Sequence, residues 1–449
     1  MMKRIRHIGW IGAAAIFCAA ASLVGRAESG GKDMEAELPK TVDYKADDYD
    51  AWNRLLEENR ISDSFKAALS RFAFQSGSKV LGAEDGNANY SPLSLYYAMA
   101  IAGCGAEGET ALQITDSLGV GDQDQLAEQC RKLYQWIAYY GQRQKAEYEQ
   151  YGEGEYESSM RLGNSLWVSD QMKLKEDYQK LAASQFFAGS YQVDFTGQEA
   201  KEKIAGWISE QTDGVLNPSL ELEPDTMLAI VNTLYFYGGW RSPFSESQTA
   251  EDRFLKADGS TVTVPFMNRV DDMGGFRKGD GYTVSALGTN NDCSMVFVLP
   301  DEGRRVEDFL ETPEALENVL AGSPEQWQSG EVTWKVPKFS FGSSMKLAEL
   351  LKSMGVKDMF IPEQAEFGKI SDTPLYVSDV IQETHIGIDE EGVEGAAYTM
   401  MAMAAGAAMP EEKRKADMIL DRPFLYGIRD DRTGAWLFMG VCRNPAKGQ

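Results

Sequence analysis

A catalytic base could come from histidine, and the sequence offers two. His7 lies in an N-terminal segment that we expect to be removed, which leaves His385 in the run QETHIGIDEE. A Ser-His-Asp triad would need this residue as its base. His385 and Asp389 could also contact one metal ion, but no third ligand lies nearby and the run has the composition of a strand. We therefore interpret His385 as a structural strand residue.

A glycine motif offers a second chemistry, the binding of a dinucleotide. Gly103, Gly105 and Gly108 match the pattern G-x-G-x-x-G in GCGAEG. In a dinucleotide-binding fold the motif follows a strand, whereas here the preceding run SPLSLYYAMAIA is typical of a buried helix that starts at Ser-Pro. We interpret the motif as a tight corner between helices. The sequence contains neither a P-loop nor an H-E-x-x-H motif, and no carboxylate pair stands out.

The charge balance and the cysteines exclude further classes. With 44 basic and 69 acidic residues the formal net charge is −25, which argues against a nucleic-acid partner. Four cysteines beyond the N-terminal segment do not make a disulfide framework, and no pair has metal-ligand spacing. Cys104 and Cys442 lie in apolar runs and are predicted to be buried thiols. Together with Cys130 and Cys293, their disulfide state stays open.

The N-terminus has the pattern of an export signal. A basic start, MMKRIRH, precedes the apolar run IGWIGAAAIFCAAASLVG, and small residues follow at Gly25 and Ala27. We predict a signal peptide over residues 1–27 and a secreted, extracellular protein, with retention as an anchor at the cell surface as the alternative. Sparse cysteines and the short basic start suggest a bacterial source. Residues 28–48 lack an apolar period and are predicted to form a disordered tether before a single domain over residues 49–449.

The elements that must position any site are mixed in type. Helical spacing of apolar residues appears in residues 51–75 and 124–141, while NSLWVSD, CSMVFVLPDE and AWLFMGVCRN are runs of strand type. Strands and helices are interspersed without a strict alternation. This pattern predicts an α+β fold with mostly antiparallel sheets.

The most informative segment lies near the C-terminus. Residues 395–409 carry no charge and consist mainly of alanine, glycine and methionine. They stand between the acidic turn Asp389-Glu390-Glu391-Gly392 and the charged run of residues 411–415. The segment is too short to span a membrane and too rich in glycine for a buried helix. We predict an exposed loop whose side chains would fit inside a sheet.

This loop carries a family resemblance. EEGVEGAAYT resembles the hinge of the reactive-centre loop of serpins, the serine protease inhibitor family. The blocks YSPLSLYYAMAIAGCGAEGET, AIVNTLYFYGGWRSPF, VPKFSFGSSMKLAELLKSMGVKDMF and LFMGVCRNP resemble others of the family in the same order, and the resemblance spans residues 55–446. It implies three mostly antiparallel sheets, eight or nine helices and an exposed reactive-centre loop at about residues 390–415.

The resemblance also implies a mechanism that uses no catalytic residue and no cofactor of this chain. A target serine protease, or secondarily a cysteine protease, attacks the loop and forms a covalent acyl-enzyme. The cleaved loop then inserts as a new strand of the main sheet and the protease is trapped. We expect a monomer without a membrane span in the mature protein. The alternative is a non-inhibitory serpin that serves as a binding or storage module.

Individual positions match the family's functional segments. Val393, Gly395, Ala397 and Thr399 would face the core after insertion, and Gly395 departs from the usual alanine. Gln382 replaces a frequent shutter histidine and can still donate and accept hydrogen bonds. The resemblance places the hinge at Glu390, Glu391, Gly392, Val393, Glu394, Gly395, Ala396, Ala397 and Thr399, and the shutter and breach at Ser91, Ser94, Asn232, Trp240 and Gln382.

The same resemblance locates the reactive bond. In inhibitory members it lies about sixteen positions after the hinge glutamate, and counting from Glu390 leads to Gly406. The loop is longer than usual, so the bond could lie further along. The candidates are Ala404, Ala405, Gly406, Ala407, Ala408 and Met409. Such side chains fit the shallow pocket of an elastase-like or subtilisin-like protease, whereas a trypsin-like enzyme needs lysine or arginine.

Overall fold

The computed structural model describes residues 11–21, 33–151, 160–393 and 414–446. Within these ranges the chain forms nine α-helices and seventeen strands. The helices are α1 (Tyr49–Glu58), α2 (Asp63–Ala83), α3 (Pro92–Cys104), α4 (Gly108–Leu118), α5 (Gln123–Tyr151), α6 (Glu176–Gln185), α7 (Gln198–Gln211), α8 (Pro313–Leu320) and α9 (Ala348–Ser353).

The strands divide among three sheets. They are β1 (Ile11–Ala21), β2 (Ala88–Tyr90), β3 (Met160–Ser169), β4 (Ala188–Val193), β5 (Thr226–Phe236), β6 (Gly238–Gly239), β7 (Ala250–Leu255), β8 (Thr261–Gly279), β9 (Tyr282–Gly288), β10 (Cys293–Pro300), β11 (Gln328–Pro337), β12 (Phe339–Lys346), β13 (Leu375–Ile388), β14 (Gly392–Val393), β15 (Lys415–Ile419), β16 (Phe424–Asp430) and β17 (Trp436–Cys442).

The main sheet has six strands in the order β12-β13-β1-β5-β3-β4, and the pair β3–β4 alone is parallel. A second sheet has nine strands, with β15-β11-β8-β9-β10-β16-β17-β2 as its path and β7 paired to β8. The third sheet consists of β6 and β14. The predicted α+β fold with mostly antiparallel sheets is confirmed.

The main sheet is buried on both faces. Along β5, Leu228, Ile230 and Leu234 join the main hydrophobic core, whereas Ala229 and Val231 pack in a smaller cluster. That cluster is formed with Ile204 and Ile208 of α7. Successive strand residues point to opposite faces, so a strand lying beside Leu228 to Leu234 of β5 must be uncharged on both sides.

The helix that supports the sheet centre is α3. It begins as the Ser-Pro signal predicts, since the Ser91 hydroxyl accepts a hydrogen bond from Ser94 N and Pro92 occupies the first helical position. Every residue of α3 is buried. A fully apolar helix of this kind lies inside the fold, and α3 contacts both β5 and β1.

The N-terminal segment has a place in this fold. Residues Ile11–Ala21 form β1 in the middle of the main sheet, antiparallel to both β13 and β5. Its removal with the predicted signal peptide stays a prediction. Within residues 11–21, 33–151, 160–393 and 414–446, no helix is long and apolar enough to cross a membrane.

Residues 33–48, predicted as part of a disordered tether, differ from that expectation. Met34 and Ser190 of β4 exchange two backbone hydrogen bonds, and the amide of Val42 donates to the side chain of Gln142 on α5. β4 is an edge strand of the main sheet, so its backbone groups are available for pairing. Hydrogen bonds of this kind do not require regularly spaced apolar side chains. The absence of such spacing therefore led to the wrong expectation of disorder for these residues.

The G-x-G-x-x-G run forms the corner between α3 and α4, as predicted. A Cβ at Gly103 would lie 2.7 Å from Cγ2 of Ile114, and one at Gly108 would contact the carboxylate of Glu366. A Cβ at Gly105 would overlap Ile370 and lie 2.8 Å from Cε2 of Tyr178. The three glycines therefore serve close packing.

The four cysteines Cys104, Cys130, Cys293 and Cys442 are buried and free. Burial raises the pKa of the Cys104 thiol to about 12, which leaves it protonated at neutral pH. No group of three or more possible metal-ligating side chains occurs in the described part of the chain.

Replacing Gly105 with alanine should destabilise the protein by about 1–3 kcal/mol, because the added methyl group must displace buried side chains. Gly206, an exposed residue inside α7 with no atom near its Cβ position, is the matched control. Gly206→Ala should stabilise by about 0.5–1 kcal/mol through helix propensity. Thermal unfolding of both variants tests this, and an unchanged melting temperature in Gly105→Ala would contradict the packing role.

Candidate functional site where the loop leaves the main sheet

The chain leaves β13 through a turn that Asp389 closes. The Asp389 carboxylate accepts hydrogen bonds from the amides of Glu391 and Gly392, and the Asp389 amide donates to the carbonyl of Gly392. Burial raises the pKa of Asp389, although these amide donors and Lys338 act in the opposite direction. The turn fixes the direction in which the loop starts.

Glu390 anchors this turn through a buried ion pair. Its carboxylate accepts hydrogen bonds from Nζ of Lys338 at 2.6 Å and from the Thr249 hydroxyl at 2.7 Å. The Glu390 side chain is only 8% exposed. Burial alone would raise the pKa of Glu390, but the Lys338 ammonium and the Thr249 hydroxyl together bring the pKa below its usual value. The carboxylate is therefore ionised at neutral pH.

Trp240 holds the same turn from the other side. The indole Nε1 donates to the carbonyl of Asp389 at 2.9 Å, and the Trp240 amide donates to the carbonyl of Glu391 at 3.0 Å. The ring is 1% exposed. A buried indole needs such a partner for its N–H group, so the tryptophan and the turn are fixed together.

The first residues of the hinge already pair with a strand. Gly392 lies opposite Gly239 and Val393 opposite Gly238, in antiparallel register. A Cβ at Gly392 would lie 2.5 Å from the carbonyl oxygen of Gly238, so glycine is required for this approach. Val393 is fully buried. β6 follows β5 in the chain with only Tyr237 between them.

Gln382 joins β13 to the start of α3. Its side-chain oxygen accepts from the Ser91 amide at 2.8 Å, and its Nε2 donates to the Ser91 carbonyl at 2.9 Å. The Ser91 hydroxyl donates to the carbonyl of Leu437 on β17. All of these groups are buried, so Gln382 uses both of its hydrogen-bonding functions to hold the strand against the helix.

Asn232 on β5 belongs to a different hydrogen-bonding group. Its Nδ2 donates to Oδ1 of Asn164 on β3 at 2.7 Å. Within the described part of the chain, neither Oδ1 of Asn232 nor the hydroxyl of Ser94 has a hydrogen-bond partner. Gln382 and Asn232 flank one position of β1, because Ala15 lies opposite both. The structure therefore places the two polar residues on either side of the central strand.

Several predicted site residues lie outside the described residues. These are Glu394, Gly395, Ala396, Ala397 and Thr399 of the hinge and the reactive-bond candidates from Ala404 to Met409.

The comparisons with known proteins decide the family. A family model for serpins, serine protease inhibitors, matches residues 67–445. The chain belongs to the serpin family. Serpin-Z1B of Triticum aestivum is 30% identical to this serpin over 373 residues, which cover 80% of this chain and 90% of the plant protein.

Solved structures resemble this serpin in fold. The native state of the thermophilic serpin tengpin matches it with a TM-score of 0.70 at 23% identity, covering 86% of this chain and 95% of tengpin. The complex of thyroxine-binding globulin with thyroxine matches with a TM-score of 0.69 at 24% identity, covering 85% of this chain and 99% of that protein.

Sequence reasoning missed the partners of Glu390. Lys338 and Thr249 are separated from Glu390 by 52 and 141 positions, so no local pattern links them. The one available signal is that Lys338 interrupts the otherwise apolar run VPKFSF between β11 and β12. A lone charge between two buried strands indicates a buried partner of opposite sign.

Replacing Lys338 with methionine should destabilise the protein by about 1–3 kcal/mol at neutral pH, because the buried Glu390 carboxylate loses a charged donor. The lowered pKa of Glu390 means that the pair contributes stability above the unfolded value of about 4.3 and loses it as the pH falls through the folded pKa. The difference in melting temperature from the unmodified protein should therefore shrink in acid.

Lys346→Met is the control, because the Lys346 side chain is 76% exposed beside Asp379 and should contribute little. A loss of stability at Lys338 that is equal at pH 7 and pH 3 would contradict the ion-pair assignment.

Proposed function

We propose that this serpin is a secreted suicide-substrate inhibitor of serine proteases of the elastase-like or subtilisin-like class. The observation that supports it is the pairing of Gly392 and Val393 with β6, because it sets a register for the rest of the loop. Continued one residue for one along β5, that register brings Gly395 opposite Phe236 and Thr399 opposite Asn232. A cleaved loop could extend this ladder without changing its direction.

The register also assigns faces to the hinge residues. Directly opposite residues in an antiparallel pair project to the same side of the sheet. Ala397 would lie opposite Leu234, which belongs to the main core. Thr399 would bring a hydroxyl donor beside Oδ1 of Asn232, to which no described residue donates a hydrogen bond. Glu394, the one charged residue of the hinge strand, falls on the other face.

Insertion accounts for inhibition without a catalytic group on the serpin. The protease serine attacks a loop carbonyl, and an ester forms between the protease and the part of the loop before the cleaved bond. The peptide bond breaks, and the part of the chain after it leaves with a new amino terminus. Inserting ~15 residues at ~3.3 Å each moves the tethered protease by about 50 Å. Hydrolysis of the ester requires an intact protease active site, so distortion of that site after the move leaves the covalent complex in place.

A non-inhibitory binding role is the second candidate. It is favoured by one feature of the described chain, the presence of β1 between β5 and β13, which leaves no vacant position in the main sheet. Thyroxine-binding globulin, which is similar in fold, has been solved as a complex with thyroxine. Formation of a complex with protease that survives denaturing electrophoresis separates the two roles.

Ala397→Arg should convert the inhibitor into a substrate, because insertion would bury an unpaired charge at a cost of several kcal/mol. Cleavage of the loop should continue while the covalent complex disappears. Val393→Arg is a less specific test, since Val393 is already buried in the intact protein. The measurement is the number of inhibitor molecules consumed per trapped protease.

Glu394→Arg is the matched control, because it introduces the same side chain on the opposite face, where a charge already stands. This variant should still trap protease. Full trapping by Ala397→Arg would refute insertion in the proposed register.

The reactive bond should lie between Ala404 and Pro410, because these small side chains fit a shallow specificity pocket. The nearest basic residue, Lys413, is seven positions beyond Gly406. Cleavage there would leave surplus residues between the inserted strand and the protease, so insertion would not pull the protease tight against the serpin. Mass spectrometry of the C-terminal peptide released by an elastase-like protease measures the site. A peptide that begins at Arg414, from a stably trapped trypsin-like enzyme, would overturn the assignment.

A further inference from the structure

The strand β1 pairs with β5 and the hinge strand β14 pairs with β6, and only Tyr237 separates β5 from β6 in the chain. Val393 is opposite Gly238, and two positions earlier in the chain Phe236 is opposite Ile11. Both pairings are antiparallel. The N-terminal strand therefore begins where the hinge strand ends, at the next position that an inserting loop would need.

The two flanking strands are fully engaged by β1. Its residues from Gly12 to Ala21 lie opposite β13 residues from His385 to Leu375, and those from Ile11 to Ala20 lie opposite β5 residues from Phe236 to Thr226. In the loop register, Thr399 would need the position that Ala15 occupies between Gln382 and Asn232. Two strands cannot occupy one ladder position, so β1 and the loop exclude each other.

We propose that the N-terminal segment competes with the reactive-centre loop for one strand position. It thereby keeps the precursor that still carries residues 1–27 from trapping protease. Removal of residues 1–27 takes away all of β1 and arms the inhibitor. This regulation rests on the proposed function, because it acts through loop insertion. It allows an exported inhibitor to remain inactive until its leader is removed.

The competition favours β1 in the intact precursor for a physical reason. β1 is tethered to the sheet, which raises its effective concentration there to the millimolar range, whereas the uncleaved loop is held at both ends, by β14 and β15, and cannot enter the sheet. The loop cannot displace it without first breaking ladder hydrogen bonds to two neighbours. A protease that has cleaved the loop would therefore complete hydrolysis and leave before insertion begins.

The test compares the full chain, produced without export so that residues 1–27 remain, with a chain that starts at residue 28. An elastase-like protease is the probe, and the covalent complex is quantified on a denaturing gel. We expect the shortened chain to trap protease and the full chain to form about tenfold less complex or none, while its loop is still cleaved. Equal trapping by both chains would overturn the inference and leave the proposed function intact.

Failure of both chains to trap any tested protease would instead overturn the proposed function, and this inference with it. Hydrogen exchange of the full chain supplies an independent reading. Amides 12–20 should be protected as ladder donors, and exchange at unfolded-chain rates would overturn the placement of β1, whatever the trapping assay shows.

A point variant separates strand pairing from chain length. Ala15→Pro in the full chain removes a backbone donor in the middle of β1, where proline is incompatible with a central strand. It should restore trapping and abolish the protection of amides 12–20. Ser29→Pro, outside β1, should change neither property. Loss of this protection without recovery of trapping in Ala15→Pro would show that pairing of β1 is not what blocks the loop.

Discussion

The backbone edges of β5 and β13 face each other across one strand position, and the rest of the molecule is arranged around this constraint. Amide and carbonyl groups buried inside a sheet must be paired, so the position requires an occupant or a closed sheet. In the described chain β1 fills it. Because both faces of β5 are covered between Leu228 and Leu234, by the main core and by α7, the part of the occupant that lies beside these residues must also be free of charge.

The turn after β13 determines how a loop could enter this position. Glu390, held by Lys338 and Thr249, and Asp389, held by Trp240, fix where the strand ends. The pairing of Val393 with Gly238 then fixes register. In the proposed insertion, a slip of one residue would exchange the two faces and place Glu394 on the core side. The ion pair and the tryptophan would then preserve the alternation of side chains along the inserted strand.

Local patterns predicted the parts of the fold that depend on local physics. The Ser-Pro start of α3, the apolar strand β17 and the glycine corner all follow from residues within one short window. The partners of Glu390 did not follow, because they come from β11–β12 and from the segment before β7. The division between Gln382 and Asn232 also escaped, since it depends on which strand lies between β13 and β5. The resemblance of EEGVEGAAYT to a serpin hinge could be recognised in the sequence. The pairing of Gly392 and Val393 with β6 could not.

In the proposed mechanism the N-terminal strand has two roles. Residues 11–21 are uncharged and rich in alanine, which suits an export signal, and residues 395–409 share both properties, as the proposed inserted strand would require. Burial between two strands selects for the same composition as passage through an export apparatus. Two segments of one chain therefore meet the requirements of one position. In the proposed mechanism chain connectivity decides between them, because one segment would be lost by removal of the leader and the other would be released by cleavage of the loop.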